Sequence, residues 1–467
     1  MAENFISKVA KVNAVNLYSH NGKGADILGN VLEINLFESI YLPNFTGTLE
    51  ILDSFDMPQF FPIIGEETLD IDISLPSIQD DANMMFKGLR VYKITDRRII
   101  ADKTQTYKLW FISPEVITNH ENKICKSWSQ KTTDRMVKDV FSVLKSDKTF
   151  NVESTIGAHN YISTNFSPFQ VLNYLASHRS INTNKLSDFV FFENFDLAKK
   201  TTKFNFTSLN TLCASAPVAS LTYHPVIVNN PSVGNVQPHN VTDIAFSKGF
   251  DIIESKMSGM YNQTYIYYDL LRKKYVVQKN KFDDVFNESK AFRIDGSASA
   301  KTFVTNTDTP GEFVNLVFCK EFPNRISLSQ DLSNTNNSST ERRATRGTNT
   351  WINNYGTVED KSSSLVEKTL YRRNILLQEF EINKIFINEL SGNYKYTVGS
   401  TVEFNKPHLT IKKEKTKEEY NDQYDRYISG KYLIMKTIHI IKLGDSLNWI
   451  YKTSLEVSKN SFKKAIE

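Results

Sequence analysis

The feature that most constrains the fold is a β pattern that occurs twice along the chain. In each copy a glycine precedes a mostly apolar strand, a polar turn follows, and a second strand returns. The two copies span 88–113 and 430–457, and a further strand that begins after Gly65 or Gly399 precedes each copy. An antiparallel unit that one chain repeats predicts that the chain builds part of a symmetric object, rather than a cleft around one active site.

The composition favours strands over helices. The chain has 467 residues, of which 40% are hydrophobic, and its 31 Phe and 21 Tyr are residue types enriched in strands. A chain of this length is too long to fold around a single hydrophobic core, so we expect several domains. The 56 Lys and Arg residues nearly balance the 52 Asp and Glu residues, giving a net charge of +4. This balance gives no sign of the basic surface that a nucleic-acid-binding protein needs.

Cysteine usage and hydropathy predict folding in a reducing cytoplasm, with no membrane segment. Cys125, Cys213 and Cys319 are far apart and odd in number, so we expect reduced and mostly buried side chains rather than a disulfide framework. The N-terminal residues lack the basic and apolar regions of a secretory signal. No apolar run approaches the length of about 18 residues that a membrane helix needs.

The first part of the chain changes from a strand pattern to a helix pattern. Residues 27–112 carry at least five strand candidates, and 69–75 alternates strictly between apolar and polar residues, which indicates a half-buried strand. Helical spacing follows at 132–144 and again at 167–179. Ser167 can cap the second helix, and the proline after it suits the first helical position.

The second part of the chain is less regular. Prolines and glycines mark 213–246 as a connection, and strand patterns resume at Phe250-Asp-Ile-Ile-Glu. A helix is expected over 364–377, followed by a strand along which Phe380, Ile382 and Phe386 alternate. The predicted arrangement is a first β unit over 1–114, which forms a small barrel or a sandwich, an α+β domain over 115–212, a connection over 213–246, a second, split β unit over 247–281 and 378–458, and an inserted segment over 282–377 that contains the low-complexity stretch 327–364.

None of the usual catalytic or metal-binding patterns is present. The eight histidines lack zinc-ligand spacing, and the glycines of 22–29 lack the spacing of a phosphate-binding loop. No nucleophile elbow occurs. We therefore predict no catalytic, cofactor-binding or metal-ligating residues. His439 lies in an apolar strand, where a buried and hydrogen-bonded histidine is expected.

The polar face of the strand at 69–75 leaves two interpretations open. Asp70, Asp72 and Ser74 lie on the face opposite to its apolar residues. That face could be an ordinary solvent-exposed surface, or it could line a water-filled channel in an oligomeric ring.

Four pieces follow one another in a fixed order after the N-terminal β unit and its hairpin. They are Phe166-Ser-Pro-Phe-Gln-Val-Leu-Asn-Tyr-Leu-Ala, Asp188-Phe-Val-Phe-Phe-Glu-Asn, Val398-Gly-Ser-Thr-Val-Glu-Phe and Gly430-Lys-Tyr-Leu-Ile. In this order the chain resembles the baseplate hub proteins of contractile-tailed bacteriophages and the hub part of VgrG-type spikes. The resemblance covers 27–458, but the segments 327–364 and 412–427 have no counterpart in it.

The resemblance implies a mixed β and α+β multidomain fold, with two related antiparallel β-barrel tube domains and α+β domains packed outside them. It implies a homotrimer whose six barrels form a pseudo-hexameric ring between the sixfold tail tube protein and the threefold central spike protein. Other baseplate proteins would be further partners, and DNA would pass through without specific binding. The protein would be a virion component without stable membrane insertion, assembled in the bacterial host cytoplasm, and not an enzyme. The two β units, 27–112 and 247–281 with 378–458, should then superpose.

Two other functions stay open on the residues alone. One is a tail-associated enzyme that degrades the cell envelope, and the other is a β-rich receptor-binding or carbohydrate-binding module. The 21 Tyr and the four Trp, which are Trp110, Trp128, Trp351 and Trp449, could stack on sugars. Trp110 and Trp449, however, lie on the return strands of the repeated hairpins, which favours a role in the core.

Overall fold

The computed structural model describes residues 9–61, 63–75, 83–101, 103–184, 186–196, 198–224, 239–247, 251–269, 274–281, 313–318, 372–407, 424–425, 427–444 and 448–460. The helices of this part are α1 Met57–Phe60, α2 Pro114–Glu121, α3 Thr133–Phe141, α4 Pro168–His178, α5 Leu209–Ala214, α6 Ile252–Met257 and α7 Arg372–Ile382. The strands that precede α4 are β1 Val9–Tyr18, β2 Gly24–Asp26, β3 Val31–Ser39, β4 Thr46–Asp53, β5 Thr68–Ser74, β6 Asn83–Ala101, β7 Thr104–Ile112, β8 Ile124–Thr132, β9 Phe150–Val152 and β10 Ala158–Phe166. The later strands are β11 Phe189–Asp196, β12 Thr201–Ser208, β13 Pro217–Tyr223, β14 Asn240–Val241, β15 Asp243–Phe246, β16 Asn262–Asp269, β17 Lys274–Lys281, β18 Phe313–Phe318, β19 Lys384–Ser391, β20 Thr401–Asn405, β21 Gly430–Leu443 and β22 Trp449–Ser458.

Eight strands pair in a circuit that returns to its first member. The order is β21, β3, β4, β7, β6, β5, β1 and β22, and β22 pairs again with β21. The pairing between β1 and β22 is short, because it joins only Val9 to Ile450 and Ala10 to Trp449. Apolar side chains of these strands form the first core. The predicted alternation at 69–75 is confirmed, since the apolar residues of β5 are buried and its polar residues are half-buried.

A second group of strands shares the hairpin β21–β22 with the first. β20 and then β13 follow β21 on one side, while β19 and then β15 follow β22 on the other. β14 and β15 are adjacent in the chain, so the segment 240–246 pairs with β13 through β14 and with β19 through β15. Leu433 and Val457 of the shared hairpin belong to the second core, whereas Ile441 and Tyr451 belong to the first. One hairpin therefore contributes to two cores.

The repeated sequence pattern corresponds to two three-stranded units with the same pairing. β5 pairs with β6 and β6 with β7, just as β20 pairs with β21 and β21 with β22, and all four pairings are antiparallel. The glycines that mark the pattern, Gly65, Gly88, Gly399 and Gly430, have φ of 99°, 67°, 84° and 143°. Side-chain-bearing residues rarely adopt these angles, so glycine is favoured at each of the four places. The local repeat is thus present in the structure.

Strand pairing in the second half differs from the prediction. The supposed connection 213–246 contributes β13, β14 and β15 to the large sheet. β16 and β17 of the predicted 247–281 segment instead join β18 in a separate three-stranded sheet. The strands of 213–246 were missed because β13 pairs in parallel with β20. A parallel partner that is distant in sequence leaves no local hairpin signal. The low-complexity stretch 327–364 lies outside the described residues.

One predicted strand is a helix, and another begins later than predicted. The pattern expected over 250–254 leads into α6, and Phe380 and Ile382 fall within α7, whereas Phe386 lies in the strand β19 as predicted. Leu376 and Phe380 are both buried and lie four residues apart, which places them on one helix face. The same apolar residues fit both periods over so short a window, and packing against the second core decides in favour of the helix.

Residues 115–212 contain both helices and strands. β11, β12 and β9 form a three-stranded sheet, β8 and β10 form a ribbon, and α3 and α4 pack with them around a third core. α4 begins as expected, with Pro168 in its first turn and a capping box formed by Ser167 and Gln170.

Gly392 marks a place where the backbone passes directly over a buried ring. A Cβ atom at this position would lie 2.1 Å from Cγ of Tyr451, which is fully enclosed in the first core. Gly392→Ala is expected to lower the free energy of unfolding by about 1–3 kcal/mol, because the ring must move in a close-packed core. Urea denaturation measures this change. Gly29→Ala is the control, since a Cβ there meets no atom within 4 Å, and equal stability of the two variants would contradict the expectation.

Candidate functional site

The part of the chain that the structure describes offers no metal cluster: it contains no group of three or more His, Cys, Asp or Glu side chains placed to hold an ion. Nor does any helix within the described ranges have the length and apolar character needed to span a bilayer. Cys213 is buried as expected, but Cys125 is exposed. The notable polar geometry lies in buried junctions that tie the sheets together.

The first junction is built around Glu38 on β3. Its side chain is buried, and Oε1 accepts a hydrogen bond of 3.0 Å from the amide N of Phe195 on β11. Oε2 accepts hydrogen bonds from Thr397 Oγ1 at 2.7 Å and from the amide N of Val398 at 2.9 Å. Burial raises the pKa of Glu38 to about 7, although these donors oppose the shift. One carboxyl group therefore connects the first core, the α+β sheet and the loop that leads into β20.

The second junction is a buried ion-pair network. Glu193 on β11 accepts hydrogen bonds from Ser113 Oγ at 2.6 Å and from the amide N of Phe45 at 2.8 Å. Lys148 Nζ lies 2.7 Å from Glu193 Oε1 and 2.8 Å from Glu115 Oε2. Burial lowers the pKa of Lys148, but the two carboxylates outweigh it and raise the pKa overall. The network fixes the α+β sheet to the loop before β4 and to the end of β7.

His439 confirms the prediction made for it. The side chain is buried in β21, and its Nδ1 lies 2.9 Å from the hydroxyl of Tyr451 on the paired strand β22. Burial lowers the pKa of His439 to about 3. The neutral imidazole is therefore part of the shared hairpin and of the first core beside it.

The buried imidazole makes stability depend on pH. The folded chain binds fewer protons at His439 than the unfolded chain between about pH 3 and pH 6.5, so the free energy of unfolding falls as the pH is lowered through this window. Between pH 7 and pH 5 we expect the wild type to lose on the order of 2 kcal/mol more than His439→Gln. Urea denaturation of both proteins at the two pH values measures the difference, and parallel curves would contradict it.

The polar face of β5 is partly covered in the single chain. Asp70 Oδ1 accepts a hydrogen bond of 2.7 Å from the amide N of Gly88, at the place where the pairing of β5 and β6 shifts register. Asp72 Oδ1 is buried and has no hydrogen-bond partner among the described residues. Trp110 is half-buried, and its Nε1 donates a hydrogen bond to Thr95 Oγ1 at 2.8 Å. Trp449 packs against the first core.

No protein-family model and no curated protein matches the sequence. Solved structures do match. The tail protein from Neisseria meningitidis MC58 aligns with a TM-score of 0.51 at 9% identity, over 96% of each chain. The 43 kDa tail protein of prophage MuSo2 from Shewanella oneidensis aligns with a TM-score of 0.46 at 9% identity, over 96% of this chain and 98% of that one. A chain of the half-lidded Francisella PdpA-VgrG complex aligns with a TM-score of 0.45 at 9% identity, over 98% of this chain and 59% of that one.

The likeness to the Neisseria protein extends over nearly the whole of both chains, so it concerns the complete architecture rather than one domain. Because the two sequences are only 9% identical, this likeness shows the fold alone. This chain has the fold of a tail protein, and the resemblance predicted from the sequence is confirmed at that level.

Proposed function

We propose that this chain is the structural hub of a phage-tail baseplate. Three copies form a pseudo-hexameric ring that joins the sixfold tail tube to the threefold central spike and lines the DNA channel. The observation that carries the proposal is the pair of strand circuits that share the hairpin β21–β22. If each circuit closes a β-barrel, one chain supplies two neighbouring barrels, and a trimer supplies six.

The strand pairings suggest where the domains of the hub begin and end. The first barrel would consist of β1 and β3 to β7 with the half of the shared hairpin that contains Ile441 and Tyr451. The second barrel would consist of β13 to β15, β19 and β20 with the half of the shared hairpin that contains Leu433 and Val457. In this barrel β13 to β15 take the place that was predicted from the sequence for the segment 247–281. The α+β domain over 115–212 would lie outside the ring, held by the Glu38 and Glu193 junctions.

The near balance of charge supports passage of DNA without specific binding. A strongly basic lumen would retain DNA through its phosphates, whereas the net charge of +4 over 467 residues is small. In this proposal the chain acts by shape and assembly and carries no catalytic residues. The tail tube, the central spike and other baseplate proteins are its partners, and it resides in the virion tail.

The mass of the assembled protein tests this proposal. Multi-angle light scattering on the purified full chain, alone and co-purified with the spike protein of the same tail, should give three copies per particle in at least the second sample. A monomer in both samples would overturn the proposal.

A further inference from the structure

We propose that the loop 54–67 and the end of the β6–β7 hairpin over 96–103, together called the rim surface, form the docking surface for the threefold central spike. This inference rests on the proposed hub and identifies the part of the chain that the spike would contact. The rim surface exposes apolar side chains on a backbone that buried carboxylates hold in place. Within the described residues, only one of the two repeated β units carries it.

The loop 54–67 covers one end of the first core. It joins the end of β4 to the start of β5, and in the strand circuit β7 and β6 lie between these two strands. Met57, Phe61 and Ile63 of the loop pack against the first core. The loop therefore crosses the end of the circuit with these three side chains directed inward.

Other apolar side chains at this end are exposed to solvent. Phe55 is 75% exposed and Ile64 is 64% exposed, while Ile99 and Ile100 at the end of β6 are 82% and 64% exposed. Ile99 lies opposite Gln105, whose side chain donates a hydrogen bond to the loop, so the hairpin end lies beside the loop. Large exposed apolar side chains grouped at one end of a sheet mark a protein interaction site.

The backbone on the Phe55 side of the loop is fixed by Asp53. The side chain of Asp53 is fully buried, and its Oδ1 accepts a hydrogen bond of 2.9 Å from the amide N of Phe55. Its Oδ2 accepts hydrogen bonds from the amide N of Met57 at 2.7 Å and from Gln105 Nε2 at 3.0 Å. Asp56 has a φ of 54°, an angle that residues other than glycine rarely adopt, and the contacts around it hold it there.

Glu67 fixes the other side of the loop in the same way. Its side chain is buried, Oε1 accepts a hydrogen bond of 2.8 Å from the amide N of Ile64, and Oε2 accepts one of 2.9 Å from the amide N of Gly65. The two exposed apolar side chains of the loop thus stand on a backbone that buried groups already order. A partner that binds here loses little free energy to further ordering of the loop, which favours a stable contact.

The equivalent loop of the second repeated unit is different. β19, β22, β21 and β20 pair in the same order as β4, β7, β6 and β5, so the loop 392–400 between β19 and β20 is the counterpart of 54–67. It has nine residues rather than 14, and its Tyr394 and Tyr396 are buried. Each chain therefore presents one apolar loop, and a trimer presents three. Three equivalent contacts match a threefold partner, whereas a sixfold tube would meet six.

The charges of the rim surface favour a protein over a nucleic acid as its occupant. The ranges 54–67 and 96–103 together contain five acidic and three basic residues. Arg97 is engaged within the chain, since it lies 3.6 Å from Asp56 and its Nε donates a hydrogen bond of 2.8 Å to Gln105 Oε1. A net negative surface repels phosphates. It fits a spike protein whose contact patch is apolar with a basic rim.

Binding of the spike protein of the same tail to the purified full chain, measured by biolayer interferometry, tests the contact. Phe55→Asp combined with Ile99→Asp should weaken the affinity at least about thirtyfold, because central apolar contacts carry most of the energy of an interface. The matched control is Ile162→Asp on β10, which is 67% exposed and should change the affinity by less than about twofold. Circular dichroism checks that each variant is folded. Equal affinities of the wild type and the double variant would overturn the inference.

Two further measurements separate failure of this inference from failure of the hub proposal. The double variant should have the same mass as the wild type in light scattering, and it should bind the tail tube protein with unchanged affinity. A double variant that no longer assembles with itself, or that loses the tube and keeps the spike, assigns the rim surface to another partner and overturns the inference alone. A wild type that does not bind the spike overturns both.

Discussion

Glu38→Ala is expected to lower the free energy of unfolding by about 3 kcal/mol or more, since it leaves two backbone N–H groups and one hydroxyl without an acceptor in a buried place. The groups belong to Phe195, Thr397 and Val398, which lie in two other parts of the chain. The loss should therefore appear as a loosening between the sheets. Amide hydrogen exchange at Phe195 and Val398 should speed up together, and urea denaturation should show the lower stability.

The control for this variant lies on the same strand. Glu33 of β3 is half-buried, its carboxylate lies 3.8 Å from Lys442, and its Oε1 accepts a hydrogen bond from Asn35 Nδ2 at 2.7 Å, so Glu33→Ala removes partly solvated contacts worth about 1 kcal/mol. Glu38→Gln keeps one acceptor oxygen and should fall between the wild type and Glu38→Ala. If Glu38→Ala is no less stable than Glu33→Ala, the junction does not hold the sheets together.

Lys148→Met is expected to lower the free energy of unfolding by about 3–5 kcal/mol, because it leaves the buried carboxylates of Glu115 and Glu193 without their shared cation. Thermal denaturation and urea denaturation both measure this effect. The comparison variant is Lys452→Met, whose pair with Glu389 is exposed and should change stability by no more than about 1 kcal/mol.

A second change tests whether charge is the cause. Adding Glu115→Gln to Lys148→Met removes one of the two buried carboxylates that have lost their cation, so part of the lost stability should return. No recovery, together with equal effects of Lys148→Met and Lys452→Met, would show that the network around Lys148 is not a buried ionic junction.

The sequence predicted the features that depend on neighbouring residues. The alternation along 69–75, the capping of α4 by Ser167 and the hairpins after Gly88 and Gly430 are short-range patterns, and the structure contains all of them. Such patterns reflect side-chain periodicity and turn geometry, which act over a few residues. This is why the repeated β unit could be recognised before any pairing was known.

Features that depend on distant partners were not predicted. β13 pairs in parallel with β20, about 180 residues later, and its turn-rich surroundings made 213–246 look like a connection. The sharing of β21–β22 between two cores likewise leaves no local trace. Glu193 gave a weak signal, since it directly follows the apolar run Phe189-Val-Phe-Phe in the same strand, where a carboxylate must find a buried partner. Its partner Lys148 could not be identified from the sequence, because nothing in the pattern places the two side chains together.

In the proposed hub, two strand circuits in one chain allow three copies to imitate a sixfold ring. Cryo-electron microscopy of the full chain, co-purified with the spike of the same tail, measures this symmetry. Top views should show six similar densities around a central channel, related by threefold symmetry. Particles that contain one copy, or rings with any other number of densities, would contradict the proposed hub.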